Sequence, residues 1–168
     1  MRIGVVADTH GYIDQRVAPA LADVRAILLA GDIGGRAVLN ALAAIAPVYA
    51  VFGNNDEKAD TLGLPLRLDV ELGGVRFHLV HQLPHAKPLP DADAVVFGHS
   101  HRALVERRGA LMYVNPGAAG RVGFHRVQTV AVLEARHGRI ADARIVELGP
   151  RLAASPGAGT PARAPRHA

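Results

Sequence analysis

Five apolar runs in this chain each stop at a polar cluster, and this limits the available folds more than any other feature. Ile3 to Ala7 ends at Asp8-Thr9-His10, Ala26 to Ala30 at Gly31-Asp32, and Val48 to Phe52 at Gly53-Asn54-Asn55-Asp56. Val75 to Val80 ends at His81, and Ala94 to Phe97 ends at Gly98-His99-Ser100-His101. The runs are short and aliphatic or β-branched, as strands buried on both faces are. Their C-terminal ends should share one edge. In an open α/β sheet that edge binds ligands, because loops leaving several strands pool side chains distant in sequence.

Between the runs the pattern changes to helical spacing, in Ile13 to Ala22 and in Arg36 to Ala46, where Val38, Leu39, Leu42 and Ile45 recur at three or four. Pro47 closes the second helix, and Gly34-Gly35 lets the backbone turn after Asp32. The first half therefore reads β-α-β-α-β. After Asp56 the character shifts. Leu66 to Leu72 and Val75 to His81 flank Gly73-Gly74, and Val127 to Ala135 and Ile140 to Leu148 flank His137-Gly138-Arg139, both hairpin signals. A parallel α/β half followed by a strand-rich half predicts two sheets packed face to face with helices outside.

The length of 168 residues suits one domain. Its boundary falls near residue 150, because 151–168 is Ala/Pro/Gly-rich and aperiodic and reads as a mobile tail. The pI near 10.1 invites a nucleic-acid reading. Yet residues 1–150 hold 16 Lys and Arg against 15 Asp and Glu, while the tail holds three arginines and no acid. Three arginines without interleaved aromatics make few phosphate contacts, which disfavours nucleic acid as a partner. No apolar run approaches the ~20 residues that span a bilayer, and Met1-Arg2 leads straight into a strand. A cytoplasmic protein with no membrane association is expected, and a homo-oligomer is compatible with the sequence.

With no cysteine, any metal must be held by His, Asp and Asn. Asp8, His10, Asp32, Asn54, His81, His99 and His101 offer carboxylate, amide and imidazole donors, a set suited to Mn²⁺, Fe²⁺, Zn²⁺ or Ni²⁺ and poorly suited to Ca²⁺. Seven ligands exceed what one ion needs. Two ions sharing a bridging carboxylate accommodate them, and such a pair holds a phosphoryl group while activating a hydroxide for in-line attack. Residues two apart in an extended segment face one side, so Asp8 with His10, and His99 with His101, should each point into one cavity. Taken singly, Asp8 reads as a helix cap, the Gly-Asp and Gly-Asn segments as turns, and His81 as a strand-end histidine. Their joint placement at five strand ends favours the metal reading.

In this order, Asp-x-His, Gly-Asp, Gly-Asn-Asn-Asp, a strand-end His and Gly-His-Ser-His resemble the calcineurin-like metallophosphoesterases. Asp8-Thr9-His10-Gly11 and Asn115-Pro116-Gly117 are similar to the small, single-domain bacterial and archaeal phosphodiesterase branch. The resemblance covers roughly residues 1–147. It implies a four-layer α/β/β/α sandwich of two mixed β-sheets flanked by helices. It also implies one metal among Asp8, His10, Asp32 and His101 and another among Asp32, Asn54, His81 and His99, bridged by Asp32. Many members carry Gly-Asn-His where this chain has Asn55, which removes the obvious general acid. Gln82 stands where relatives usually have a small residue, and it reads as narrowing the site or donating to phosphate.

The expected function is hydrolysis of a phosphate ester, a diester above all, by two divalent ions, with manganese ahead of nickel, iron and zinc. Asp32 and Asn55 are the expected catalytic residues, and Asn55 and Arg121 the expected substrate contacts. The alternative is a non-catalytic scaffold of the same fold that binds a partner protein. A repair nuclease is disfavoured by the short chain and by Asn55. His78, His85, His125, His137 and His167 lack a second ligand type at a strand end and are assigned to surface or hairpin positions.

Overall fold

The apolar runs become strands in a computed structural model that describes residues 1–56 and 62–153. In chain order these are β1 (Arg2–Val6), α1 (Val17–Ala20), β2 (Ala26–Ala30), α2 (Arg36–Ala43), β3 (Val48–Val51), β4 (Arg67–Leu72) and β5 (Val75–Val80). A 3₁₀ turn (Leu83–His85) follows, then β6 (Ala94–Val96), β7 (Leu104–Arg108), β8 (Leu111–Asn115), β9 (Val127–Arg136) and β10 (Arg139–Pro150). One sheet has the order β10-β9-β1-β2-β3 and the other β4-β5-β6-β8-β7. Both are mixed. β1, β2 and β3 are parallel, as are β5, β6 and β8, while β9, β10, β4 and β7 supply the antiparallel pairs.

Alternation along the strands explains why the runs are apolar throughout. Ile3, Val5 and Leu28 face inward onto Phe77, Leu79, Val96 and Val114 of the other sheet. Val6, Ile27 and Leu29 face outward beneath Val17, Leu21, Val38 and Leu42 of the helical segments. Both faces of β1 and β2 are covered, so Ile3 to Val6 and Ala26 to Ala30 stay apolar up to the strand ends. The expected sandwich is present, with one layer thin: Val80, Val95 and Phe97 of the second sheet pack under Leu83 and Ala86, in and just after the 3₁₀ turn. No helix among the described residues is long and apolar enough to cross a membrane.

The helix expected over 13–22 shrinks to Val17–Ala20. Asp14 Oδ1 accepts the Arg16 backbone N–H at 2.9 Å, an Asx-turn that holds residues 14–16 out of the helix. The β7–β8 hairpin around Gly109 escaped the sequence reading because Glu106-Arg107-Arg108 is charged, as an exposed edge strand often is. Of the expected tail, residues 151–153 are described. Arg151 N–H donates to the Arg126 carbonyl and Leu152 N–H to Gln128 Oε1, so both belong to the body. The remainder of the tail, from residue 154, lies outside the described residues, as does His167.

Asp14 is 2 % exposed and also takes Arg16 Nε at 2.8 Å and Nη2 at 2.7 Å, while Arg16 Nη2 reaches Gln128 Oε1 on β9 at 3.0 Å. Hydrogen bonds from Arg16 hold the Asp14 carboxyl below its ordinary range. A depressed folded-state pKa stabilises the fold above the unfolded carboxylate pKa, and that contribution is lost as pH falls through the folded value. Asp14→Asn is expected to cost about 1–2 kcal/mol near neutral pH, with Arg16's partial exposure keeping the figure low. Urea melts should show the deficit shrinking in acid. A deficit independent of pH would mean that packing, not charge, is lost.

Candidate metal centre

The C-terminal ends of β1, β2, β3, β5 and β6 meet along one edge, where their loops are hydrogen-bonded to one another. Asp8 N–H donates to the Gly31 carbonyl, His10 N–H to Asp32, Gly98 N–H to His81 and Gly120 N–H to Asp8, all at 2.9 to 3.1 Å. Asp8, His10, Asp32, His99 and His101 have φ of 54°, 48°, 51°, 67° and 55°, in the left-handed region. Among described non-glycine residues only His137, in a hairpin turn, shares it. Each such residue costs on the order of 1–3 kcal/mol, and strain gathered at one place marks a functional constraint. This corrects the extended-segment argument for Asp-x-His and His-x-His. The paired side chains face one cavity because two left-handed residues turn the chain, not because a strand alternates.

The structure brings five of the seven expected ligands into two groups that share Asp8. Asp8, His10 and His101 have ligand atoms within 4.8 Å of one another, and so do Asp8, Asp32 and His81. His101 Nε2 lies 3.3 Å from Asp8 Oδ1 and 3.4 Å from His10 Nε2. His81 Nε2 lies 3.1 Å from Asn54 Oδ1 and 3.4 Å from Asp32 Oδ1. Asp32 faces both groups, since its Oδ2 is 3.8 Å from His10 Nε2. His99 is exposed, its ring edge-on to His81 with centroids 5.2 Å apart, and its N–H donates to Asp8 Oδ2 at 3.0 Å.

The protonation pattern tests whether these residues suit a cation. His81 Nδ1 is 2.7 Å from the Ala30 carbonyl, which only accepts, so Nδ1 carries the proton. In the neutral ring the Nε2 lone pair then confronts two oxygen acceptors. Burial opposes a charge on His81, but hydrogen bonds with Asp32 and Ala30 outweigh it and raise its pKa. Burial likewise pushes Asp32 up, yet His81 and the Asn55 N–H groups outweigh it and hold the carboxyl far below its usual range. Burial lowers the pKa of His10 against the pull of Asp32 and Asp8. The Asn54 and Asp32 oxygens favour a positive charge at His81 Nε2, which a proton supplies in the metal-free protein, and the donor set is one that suits a divalent, borderline ion in its place.

Neighbouring residues fix these ligands. Asn55 donates its backbone N–H to Asp32 Oδ1 at 2.9 Å and its amide to Oδ2 at 2.6 Å, so the amide expected to meet substrate orients Asp32. Gln82 donates to Asn54 Oδ1 at 3.0 Å and so holds that amide. Asn115 holds the Gly98 carbonyl at 2.9 Å and Ser100 Oγ at 3.1 Å, tying the turn after β8 to the His99–His101 loop. Asp56 was missed as a site residue. It accepts the N–H groups of Ile33, Gly34 and Gly53, and an acid three residues after the motif's Gly53 was the available signal.

A cleft of about 510 Å³ opens over the group, lined by His10, Asp32, Asn54, Asn55, residues 99–102 and residues 122–125. Phe124 stands fully exposed at its mouth. Arg121 is not in the lining. Its guanidinium lies over the Tyr12 ring, 3.4 Å from the centroid, and Arg102 is the cation in the cleft wall. Two histidines also differ from expectation. His78 is buried, bonded to Asp69 Oδ1 at 2.7 Å and accepting Lys87 N–H at 3.1 Å, whereas His125 lines the cleft.

Residues 1–138 match the model of the calcineurin-like phosphoesterase superfamily domain. The chain is 31% identical over 133 residues to a probable metallophosphoesterase of Methanothermobacter thermautotrophicus, covering 70% of this chain and 77% of the relative. It is 25% identical over 140 residues to a phosphodiesterase of Methanocaldococcus jannaschii, covering 70% and 83%. Among solved structures, a Vps29 single mutant from Entamoeba histolytica superposes with a TM-score of 0.70 at 21% identity, over 88% of this chain and 99% of that one. An archaeal phosphodiesterase superposes with a TM-score of 0.69 at 21% identity, also over 88% and 99%. At that identity the structures speak to the fold.

Proposed function

The chain belongs to the calcineurin-like phosphoesterase superfamily, and from that premise we propose that it is a phosphodiesterase working with two divalent ions. Asp8, His10, Asp32 and His101 would hold one ion, and Asp32, Asn54, His81 and His99 the other. The observation that carries this is Asp32, whose two oxygens face different ligand groups while both are held by Asn55. Manganese is the favoured ion, ahead of nickel, iron and zinc. Bound there, such ions supply Lewis-acid charge at phosphoryl oxygens and lower the pKa of water.

The residues themselves orient and admit. Asn55 keeps Asp32 facing both ligand groups, and the Ala30 carbonyl keeps the His81 Nε2 lone pair on the site. Arg102 stands in the cleft wall, where it can neutralise a phosphate, and exposed Phe124 offers apolar area to an ester group. No histidine occupies position 55, so no imidazolium stands there to protonate a departing alkoxide. Aryl diesters, whose phenolate leaves without protonation, should be hydrolysed faster than alkyl diesters, with rates falling steeply as leaving-group pKa rises. Metal-stripped protein, given Mn²⁺, Ni²⁺ or Zn²⁺ separately and assayed on graded mono- and diesters, tests this. A flat dependence would show that another group supplies the proton. Tight ion binding with no turnover of any ester would favour the scaffold alternative.

A further inference from the structure

Resting on the reading of Asp8, His10 and His101 as ligands, the geometry points to His125 as a positioning residue that fixes which nitrogen of His101 faces the ion. The Gly120 carbonyl lies 3.1 Å from His125 Nε2 and can only accept, so Nε2 carries the proton and the neutral ring has its lone pair on Nδ1. That Nδ1 lies 3.4 Å from Nδ1 of His101, with the rings edge-on at 66°. His101 must therefore be the donor at Nδ1. Its Nε2 is left unprotonated, facing Asp8 Oδ1 at 3.3 Å and His10 Nε2 at 3.4 Å, the form in which an imidazole ligates.

The surrounding loop is shaped for this contact. At Gly123 a Cβ would come within 2.3 Å of His101 Nδ1 and 3.3 Å of His125 Nδ1, so the chain passes over the pair only without a side chain. Arg151 clamps the loop from outside, its Nε donating to the His125 carbonyl at 2.9 Å and its Nη1 to Arg121's at 2.8 Å. For His81 the same task falls to the Ala30 carbonyl directly. For His101 a second imidazole stands between the ring and the Gly120 carbonyl.

The test compares His125→Phe, which keeps the ring's size but loses the acceptor, with His125→Gln, whose amide can donate to Gly120 and accept from His101. Two readouts are used: Mn²⁺ titration followed by electron paramagnetic resonance, and ¹⁵N spectra of the His101 ring in metal-free protein. His125→Phe should weaken one of the two Mn²⁺ sites roughly 10- to 100-fold and turn a single Nδ1–H tautomer into a mixture. His125→Gln should keep the tautomer and most of the affinity. Unchanged binding and tautomer in His125→Phe would overturn the role, as would equal losses in both variants with equal drops in melting temperature. Wild-type protein that binds no Mn²⁺ would overturn the metal reading and this role with it. Failure of the role alone would leave the wild type with two bound ions.

Discussion

Asp32→Asn is expected to lower phosphodiester turnover by on the order of a thousandfold or more and to leave the protein with fewer than two Mn²⁺ ions. Asp32 is 2 % exposed, ionised, grouped with Asp8 and His81, and 3.8 Å from His10 of the other ligand group. Two dications held close together repel, at about 4 kcal/mol for each pair of unit charges 4 Å apart at an effective dielectric of 20. A carboxylate placed between them would offset much of that. Asparagine removes the charge and turns one oxygen into an NH₂ group, which meets the Asn55 amide donor or points hydrogens at the ion. Occupancy should therefore fall together with turnover, which separates this change from one that disturbs chemistry alone. Native mass spectrometry counts the ions, and a diester assay at saturating Mn²⁺ measures turnover. Two retained ions with near-normal turnover would show that a residue other than Asp32 bridges them.

The candidate ligand positions were legible because each lies just beyond the end of a largely buried strand, where an acid or histidine breaks the apolar run. Asp8 after Val6-Ala7, and His81 after Val80, follow this logic. What lay beyond the sequence was conformation and local pairing. Asp8 and His10 are two apart, but their common direction comes from left-handed backbone at both, which alternation cannot anticipate. His78 and His125 look alike as isolated histidines. His78 meets Asp69, its cross-strand partner in the β4–β5 hairpin, whereas His125 meets His101 across 24 positions, a contact that no local pattern encodes. Arg121 likewise has a contact that the sequence does not reveal. Its glycine-rich surroundings suggested reach toward phosphate, whereas Tyr12 offers its ring face to the guanidinium. The shortened α1 follows from Asp14, whose side chain competes with the helix for the Arg16 N–H.

Asp56→Ala should cause the largest loss of stability of any single change proposed for this protein, about 3–5 kcal/mol if two or three of the donors it frees stay dry. The carboxylate is 6 % exposed, and its Oδ2 accepts Ile33 N–H at 3.0 Å and Gly53 N–H at 2.9 Å while Oδ1 accepts Gly34 N–H at 2.9 Å. Those donors lie in the loops after β2 and β3, which carry Asp32 and Asn54. Neither loop has room to shift, because a Cβ at Gly53 would fall 2.2 Å from Asp32 N and one at Gly34 would fall 2.2 Å from Gly11 N. Asp56→Asn discriminates the cause. With its oxygen in the Oδ2 position it keeps two of the three bonds and sets an NH₂ against the Gly34 N–H, so its cost should be about 1–3 kcal/mol. Urea unfolding of the three proteins, with and without Mn²⁺, measures both effects. The alanine variant should also bind Mn²⁺ more weakly and so recover less stability from saturating ion than the wild type does. Equal losses for the alanine and asparagine variants would mean that charge, not the count of acceptors, holds the two loops together. A loss under about 1 kcal/mol for alanine would mean that water replaces the carboxylate, and that the loops hold their shape through the ligands themselves.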